Sequence, residues 1–262
     1  MLFGIVFFIR LTMNTIIVSF LITTLAGFAT MLGVIPIFFH TRKEKIIPVS
    51  LAFSAGVMLC ISLLSLIPEA ASYMQAEWKQ IYAMIGTGVF LGLGILFSAI
   101  IDSKIDQKIS SNTLYRLGII SVIALMLHNI PEGITTFISS HHDLSLGITL
   151  SIGIALHNIP EGISIAIPIY YATKNKKKAI FLTFISGFSE LLGAILAYLF
   201  LAPYITSFSL GIILSVTAGI MIHISCFELL PTAWKYASPI RIIIAFLFGF
   251  YVMILCHDFL VF

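Results

Sequence analysis

Two identical hexapeptides, His128-Asn129-Ile130-Pro131-Glu132-Gly133 and His157-Asn158-Ile159-Pro160-Glu161-Gly162, repeat one set of donor atoms inside long apolar runs. In each copy His and Glu are four positions apart and Asn and Glu three, so on a helix all three side chains share a face. Pro131 and Pro160 each remove a backbone hydrogen bond, and a kink is expected that frees the carbonyls of Leu127 and Leu156. A carboxylate at the middle of a membrane span costs roughly 2.5–3.5 kcal/mol. A cation is the obvious compensating partner. Imidazole nitrogen with carboxylate and amide oxygen suits a borderline divalent ion, zinc first, with iron(II) or manganese also compatible. A single His–Glu pair would be explained equally well as a structural hydrogen bond; two matched copies in adjacent spans bring four ligands to one point and favour a metal.

The elements that must position these residues are membrane helices. Of 262 residues, 60% are hydrophobic and 10% charged, which excludes a soluble globular domain and predicts an all-α polytopic membrane protein. Eight runs are long enough to cross a bilayer, at about 13–39, 48–71, 81–101, 116–139, 146–172, 179–201, 209–233 and 240–261. The loops are short, so residues 1–262 read as a single transmembrane domain. Twelve of the fourteen basic residues fall in the loops after spans one, three, five and seven; Arg10 and Lys79 are the exceptions. Positive loops face the cytoplasm, so both termini are expected outside the cell membrane. The net charge of +3 is spread over these loops and points to no nucleic acid. Cys60, Cys226 and Cys256 lie in apolar stretches and suggest no disulfide framework. Leu2 to Ile9 lacks the basic start and small-residue cleavage site of a signal peptide. Met13 opens the first span cleanly; a start at Met1 with a short outer extension is equally compatible.

A second internal similarity pairs spans two and seven. Ser54–Ala70 (SAGVMLCISLLSLIPEA) aligns without gaps on Thr217–Ala233 (TAGIMIHISCFELLPTA), and an inverted-topology repeat is expected to leave such a trace. Glu69, Glu132, Glu161, Glu190 and Glu228 lie within or at the edge of spans, as do His128, His157 and His223. No basic residue occupies the middle of a span, so salt bridges are not expected to neutralise these carboxylates. Glu190, in Ser186-Gly187-Phe188-Ser189-Glu190-Leu191-Leu192-Gly193, reads either as a ligand from a third helix or as a polar packing contact. Glu69 and Glu228, beside Pro68 and Pro231, fit a helix-end role or a place on an ion pathway; His223 is a further pathway candidate. His141 and His142 sit with Asp143 between the hexapeptide spans, where a loop that collects metal and an ordinary solvated loop are both compatible. Gly88 and Gly92 have the spacing through which membrane helices pair, compatible with a homodimer.

The doubled HNIPEG in spans four and five, with SGFSELLGA in span six, resembles the ZIP (Zrt/Irt-like) divalent metal transporters, in their bacterial form, over essentially the whole chain from Met13. The resemblance implies a binuclear centre halfway across the membrane. His128, Glu132, His157 and Glu161 match its first metal position, and Asn129, Glu132, Asn158, Glu161 and Glu190 its second, with the glutamates bridging. It also implies that spans one, four, five and six move against spans two, three, seven and eight, carrying metal into the cytoplasm. Zinc is the first expected ion, with iron(II), manganese, cobalt and cadmium in range and no further cofactor. The loop from Asp102 to Tyr115 has no histidine, so the His-rich sensing loop of many eukaryotic relatives is missing. Asn at both second-site positions, where some relatives carry Asp, lowers that site's charge. No phosphate-binding loop and no His-Glu-x-x-His order occurs, so ATP-driven transport and zinc-protease chemistry are not expected.

Overall fold

In a bilayer the backbone has no water to bond, so apolar runs of this length satisfy themselves as helices. The structure, a computed structural model, describes residues 2–39, 43–106, 112–201 and 206–261. Eight spans result: Thr15–Phe38, Lys45–Met74, Gln80–Lys104, Thr113–His141, Gly147–Thr173, Lys176–Phe200, Ser207–Trp234 and Pro239–Cys256. The first helix begins at Leu2 and runs unbroken to Phe28, so the stretch ahead of Met13 is helical; Ala29–Phe38 then continues as a tighter 3-10 helix. Many hydroxyls inside the spans donate to carbonyls one turn back, as Ser19 does to Thr15 (2.9 Å) and Ser62 to Met58 (2.8 Å), which gives those donors a partner in the apolar interior.

The inner and outer layers differ in burial. In spans two, four and seven 67% of the central window is buried, against 22% in spans three and eight, which form the lipid-facing flanks. Span two packs chiefly on span eight, and span three on span seven. Glycines permit these approaches. A Cβ at Gly56 would lie 2.1 Å from the Phe246 carbonyl oxygen, and one at Gly219 would lie 2.2 Å from that of Leu91. Gly56 and Gly219 occupy the same place in the span two and seven alignment, so the two contacts are copies of one another. The copying extends to the backbone. Spans two and seven each widen into a π-helical turn at matching positions, Ser62–Leu66 and Ile224–Leu229. Pro68 and Pro231 follow those turns, and each proline ring would crowd the carbonyl four residues back, which the wider turn relieves.

The helix runs continuously through Pro131 and Pro160. Thr135 Oγ1 donates to the Pro131 carbonyl at 3.0 Å, and Ser54 Oγ of span two donates to that of Pro160 at 2.7 Å. Gly88 and Gly92 meet nothing within 4 Å, so their stripe faces lipid.

Alanine at Gly56 or Gly219 is expected to lower the unfolding free energy by about 1–3 kcal/mol through overpacking. Alanine at Gly88 or Gly92 should leave it unchanged. Thermal unfolding of the four detergent-solubilised variants, followed by circular dichroism, checks this; equal losses at all four positions would contradict the packing described.

Candidate metal centre

Asp143 alone separates the helix Thr113–His142 from the helix Leu144–Thr173, so the two hexapeptides face each other across a tight helical hairpin. The expected loop at His141, His142 and Asp143 is therefore a one-residue turn. Asp143 makes it by accepting from Ser145 N (2.9 Å) with its carboxylate while its own amide donates to Ser139 O (2.8 Å). His141 is exposed with its ring stacked on Phe137; the side chain of His142 lies outside the described residues.

The hairpin brings the ligand atoms together. Nε2 of His157 lies 3.0 Å from Glu132 Oε1, and Nε2 of His128 lies 3.1 Å from Glu132 Oε1 and 3.2 Å from Glu161 Oε1. One ligand atom each from His128, Glu132 and His157 lies within 4.8 Å of the others. Span six adds Glu190, which accepts a short hydrogen bond from Asn158. All seven side chains, His128, Asn129, Glu132, His157, Asn158, Glu161 and Glu190, are buried.

The two amides are fixed from outside the hairpin. Asn129 Nδ2 donates to Ser186 O of span six (3.1 Å), and Asn158 Nδ2 donates to Ala26 O of span one (2.8 Å). Tying off the N–H groups turns the amide oxygens to the other side. Asn129 Oδ1, Asn158 Oδ1, Glu132 Oε2, both oxygens of Glu161, Glu190 Oε2 and both ring nitrogens of His128 have no hydrogen-bond partner among the described residues. The His128 nitrogen approaches the carboxylates closely but without hydrogen-bond alignment. Each such buried, unsatisfied atom costs about 1–3 kcal/mol. Carboxylate and amide oxygens left without a donor, beside two imidazoles, match what a divalent cation requires of its ligands.

A cavity of about 360 Å³ begins at this cluster. Glu132 and His157 line its inner part, and Thr135, Thr149, Ser65 and Glu69 line the way toward the Asp143 end. Ser65, Thr135 and Thr149 were not singled out from sequence, although Ser65 stands four residues before Glu69 and so shares its helical face. At the opposite end Arg116 reaches Asp102 at 2.9 Å and Glu228 at 3.5 Å. This corrects the expectation that no basic residue reaches an intramembrane carboxylate: Arg116 starts span four, and its long stem carries the guanidinium inward to span seven. His223 is not brought to the cluster; its Nδ1 lies 3.0 Å from Ser98 Oγ, between spans seven and three.

Among the described residues, eight membrane-length helices and a buried cage of two imidazoles, three carboxylates and two amides define a multi-pass membrane protein with an intramembrane His/Glu/Asn cluster. The chain belongs to the ZIP zinc transporter family, whose model matches residues 102–257. It is 40% identical to a zinc transporter ZupT of Chlorobium luteolum, the match covering 90% of this chain and 96% of that one. Proteins of the same name from Clostridium perfringens (38% identical, 92% and 95% covered) and Streptococcus mutans (42% identical, 84% and 89% covered) are similarly related. The resemblance carried by the hexapeptides is thereby borne out, and the relatives are named for transport, not catalysis.

Glu161→Gln keeps the shape of the cage and removes one unpaired charge. It is expected to raise the stability of the metal-free protein by roughly 1–3 kcal/mol, while losing the stabilisation that a bound divalent cation gives. Thermal unfolding with and without metal checks both halves; a less stable metal-free variant would show the carboxylates to be satisfied internally.

Proposed function

We propose that this protein is a secondary transporter of divalent metal cations, zinc first, carrying them into the cytoplasm. The observation that carries the reading is the set of unpartnered buried acceptors at the inner end of a cavity. A hydrated cation enters past Glu69, sheds water and takes His128, Glu132, His157 and Glu161 as ligands. Asn129, Asn158 and Glu190 complete a second position that shares Glu132 and Glu161. Nitrogen and oxygen donors without thiolate suit zinc and also admit iron(II), manganese, cobalt and cadmium.

The ion leaves at the far end. There the Arg116 contacts to Asp102 and Glu228, and the Ser54 bond to the Pro160 carbonyl, join spans four and five to spans two, three and seven. Movement of spans one, four, five and six against the others breaks those contacts and exposes the site on the other side, as alternating access requires. The basic loops lie at this far end, which supports placing it in the cytoplasm, with both termini outside. Residues 1–262 act as one transmembrane domain, and the lipid-facing Gly88 and Gly92 stripe supports a homodimer through span three.

Metal binding needs neutral imidazole and ionised carboxylate, so uptake falls as pH is lowered and protons take the ligand atoms. Proteoliposomes containing the native chain should take up zinc, with Glu132→Ala and His157→Ala each losing uptake by about a hundredfold or more, since loss of a direct ligand costs at least as much as loss of an outer-shell partner. Uptake in folded variants at the native rate would overturn the reading.

A further inference from the structure

The turn between spans five and six carries the densest charge in the chain: Lys174, Lys176, Lys177 and Lys178 fall within five residues. Lys174, Lys176 and Lys177 are exposed and Lys178 is half-buried. None is paired with a carboxylate among the described residues. Three of the four instead lie on aromatic rings. Lys174 Nζ is 4.6 Å from the ring centre of Tyr171, and Lys176 Nζ is 4.7 Å from that of Phe38. Lys178 Nζ sits 4.5 Å from the Tyr115 ring centre and donates to its hydroxyl at 2.9 Å. Phe38 ends span one, Tyr115 starts span four, Tyr171 ends span five, and the lysines open span six. Those are the four spans that surround the metal cluster.

We infer that this turn is a docking site for the phosphate headgroup of an anionic phospholipid. Three arguments carry it. The ammonium groups are held at the membrane boundary, because the turn joins two spans directly. An aromatic ring beneath an ammonium leaves its remaining N–H donors turned outward, where a phosphate oxygen can accept them. The charge has no internal counterpart, since no acidic residue stands in the first turn of the helix that begins at Lys176. A single phosphate there bridges spans one, four, five and six, so the lipid clamps together the helices that hold the cluster.

The test uses the full chain in phosphatidylcholine vesicles with and without phosphatidylglycerol, counting retained lipid by native mass spectrometry. Native protein should retain phosphatidylglycerol preferentially. A lysine that faces the bound headgroup contributes about fivefold, so Lys174→Gln/Lys176→Gln/Lys177→Gln should lose on the order of a hundredfold of that preference. The variant replaces exposed side chains only, and its circular dichroism should match the native protein. A control with Lys235→Gln/Arg241→Gln, in the basic turn between spans seven and eight, should keep the preference. Undiminished preference in the triple variant, equal loss in the control, or displacement of the lipid by inorganic phosphate would each overturn the assignment.

Discussion

Three carboxylates buried close together, with two imidazoles and no lysine or arginine at the cluster among the described residues, set the terms for the rest of this structure. A buried carboxylate oxygen needs a donor, and the two hexapeptides offer it mostly other acceptors. The amide N–H groups are bonded to the backbone of spans one and six, and only that of Asn158 also reaches a carboxylate, at Glu190. That diversion requires the flanking helices to come within hydrogen-bond reach. Glycine makes this reach available: a Cβ at Gly133 would fall 2.0 Å from the Glu190 carbonyl oxygen, and one at Gly162 would fall 1.9 Å from that of Thr30. Close packing around the hairpin thus orients the ligands, and the sixth residue of each hexapeptide serves the first five.

The outer helices follow from the same duplication. Spans two and seven share their glycine contacts and their widened turns, so spans three and eight are held on them in equivalent ways. Contacts between this frame and the hairpin are sparser than those within the frame, and they include polar ones: the Ser54 hydroxyl on the Pro160 carbonyl and the Arg116 guanidinium on Asp102 and Glu228. Polar contacts exchange partners with water or with one another at less cost than interdigitated apolar surfaces do. The movement proposed above runs along this boundary between the two groups of helices.

Much of this was legible in the sequence because it depends on periodicity and on copying. Hydropathy located eight spans, the three- and four-residue spacings put the ligands on one face, and the repeated SAG and TAG segments announced the relation of spans two and seven. What escaped depends on three-dimensional reach or on a local choice between two allowed backbones. Hydropathy puts Arg116 at a span edge, but not its guanidinium beside Glu228. His141-His142-Asp143 is polar enough to read as a loop, yet a helix can run through both histidines and turn on one aspartate. The π-helical turns did leave a signal: Pro68 and Pro231 lie at matched positions, and a proline perturbs the carbonyl four residues before it. His223, a pathway candidate by its place in span seven, has Ser98 of span three within hydrogen-bond distance, a contact between spans that hydropathy does not reveal.

The internal symmetry fails at one place, and there the chemistry becomes directional. The relation that carries Asn129 with Ser186 onto Asn158 with Ala26 also carries Glu190 onto Thr30, since their carbonyls face Gly133 and Gly162 alike. Thr30 is as buried as Glu190, but its hydroxyl is turned back onto the Gly27 carbonyl at 2.7 Å and brings no charge to the cage. The third carboxylate therefore stands on the Asn158 side only. Two hexapeptides with identical side chains consequently present unequal environments: Asn158 shares its amide with Glu190, whereas Asn129 has no such acid beside it. A strictly twofold cage would hold one ion on its axis and favour neither side. With Glu190 present the negative charge is displaced off that axis, toward Asn158.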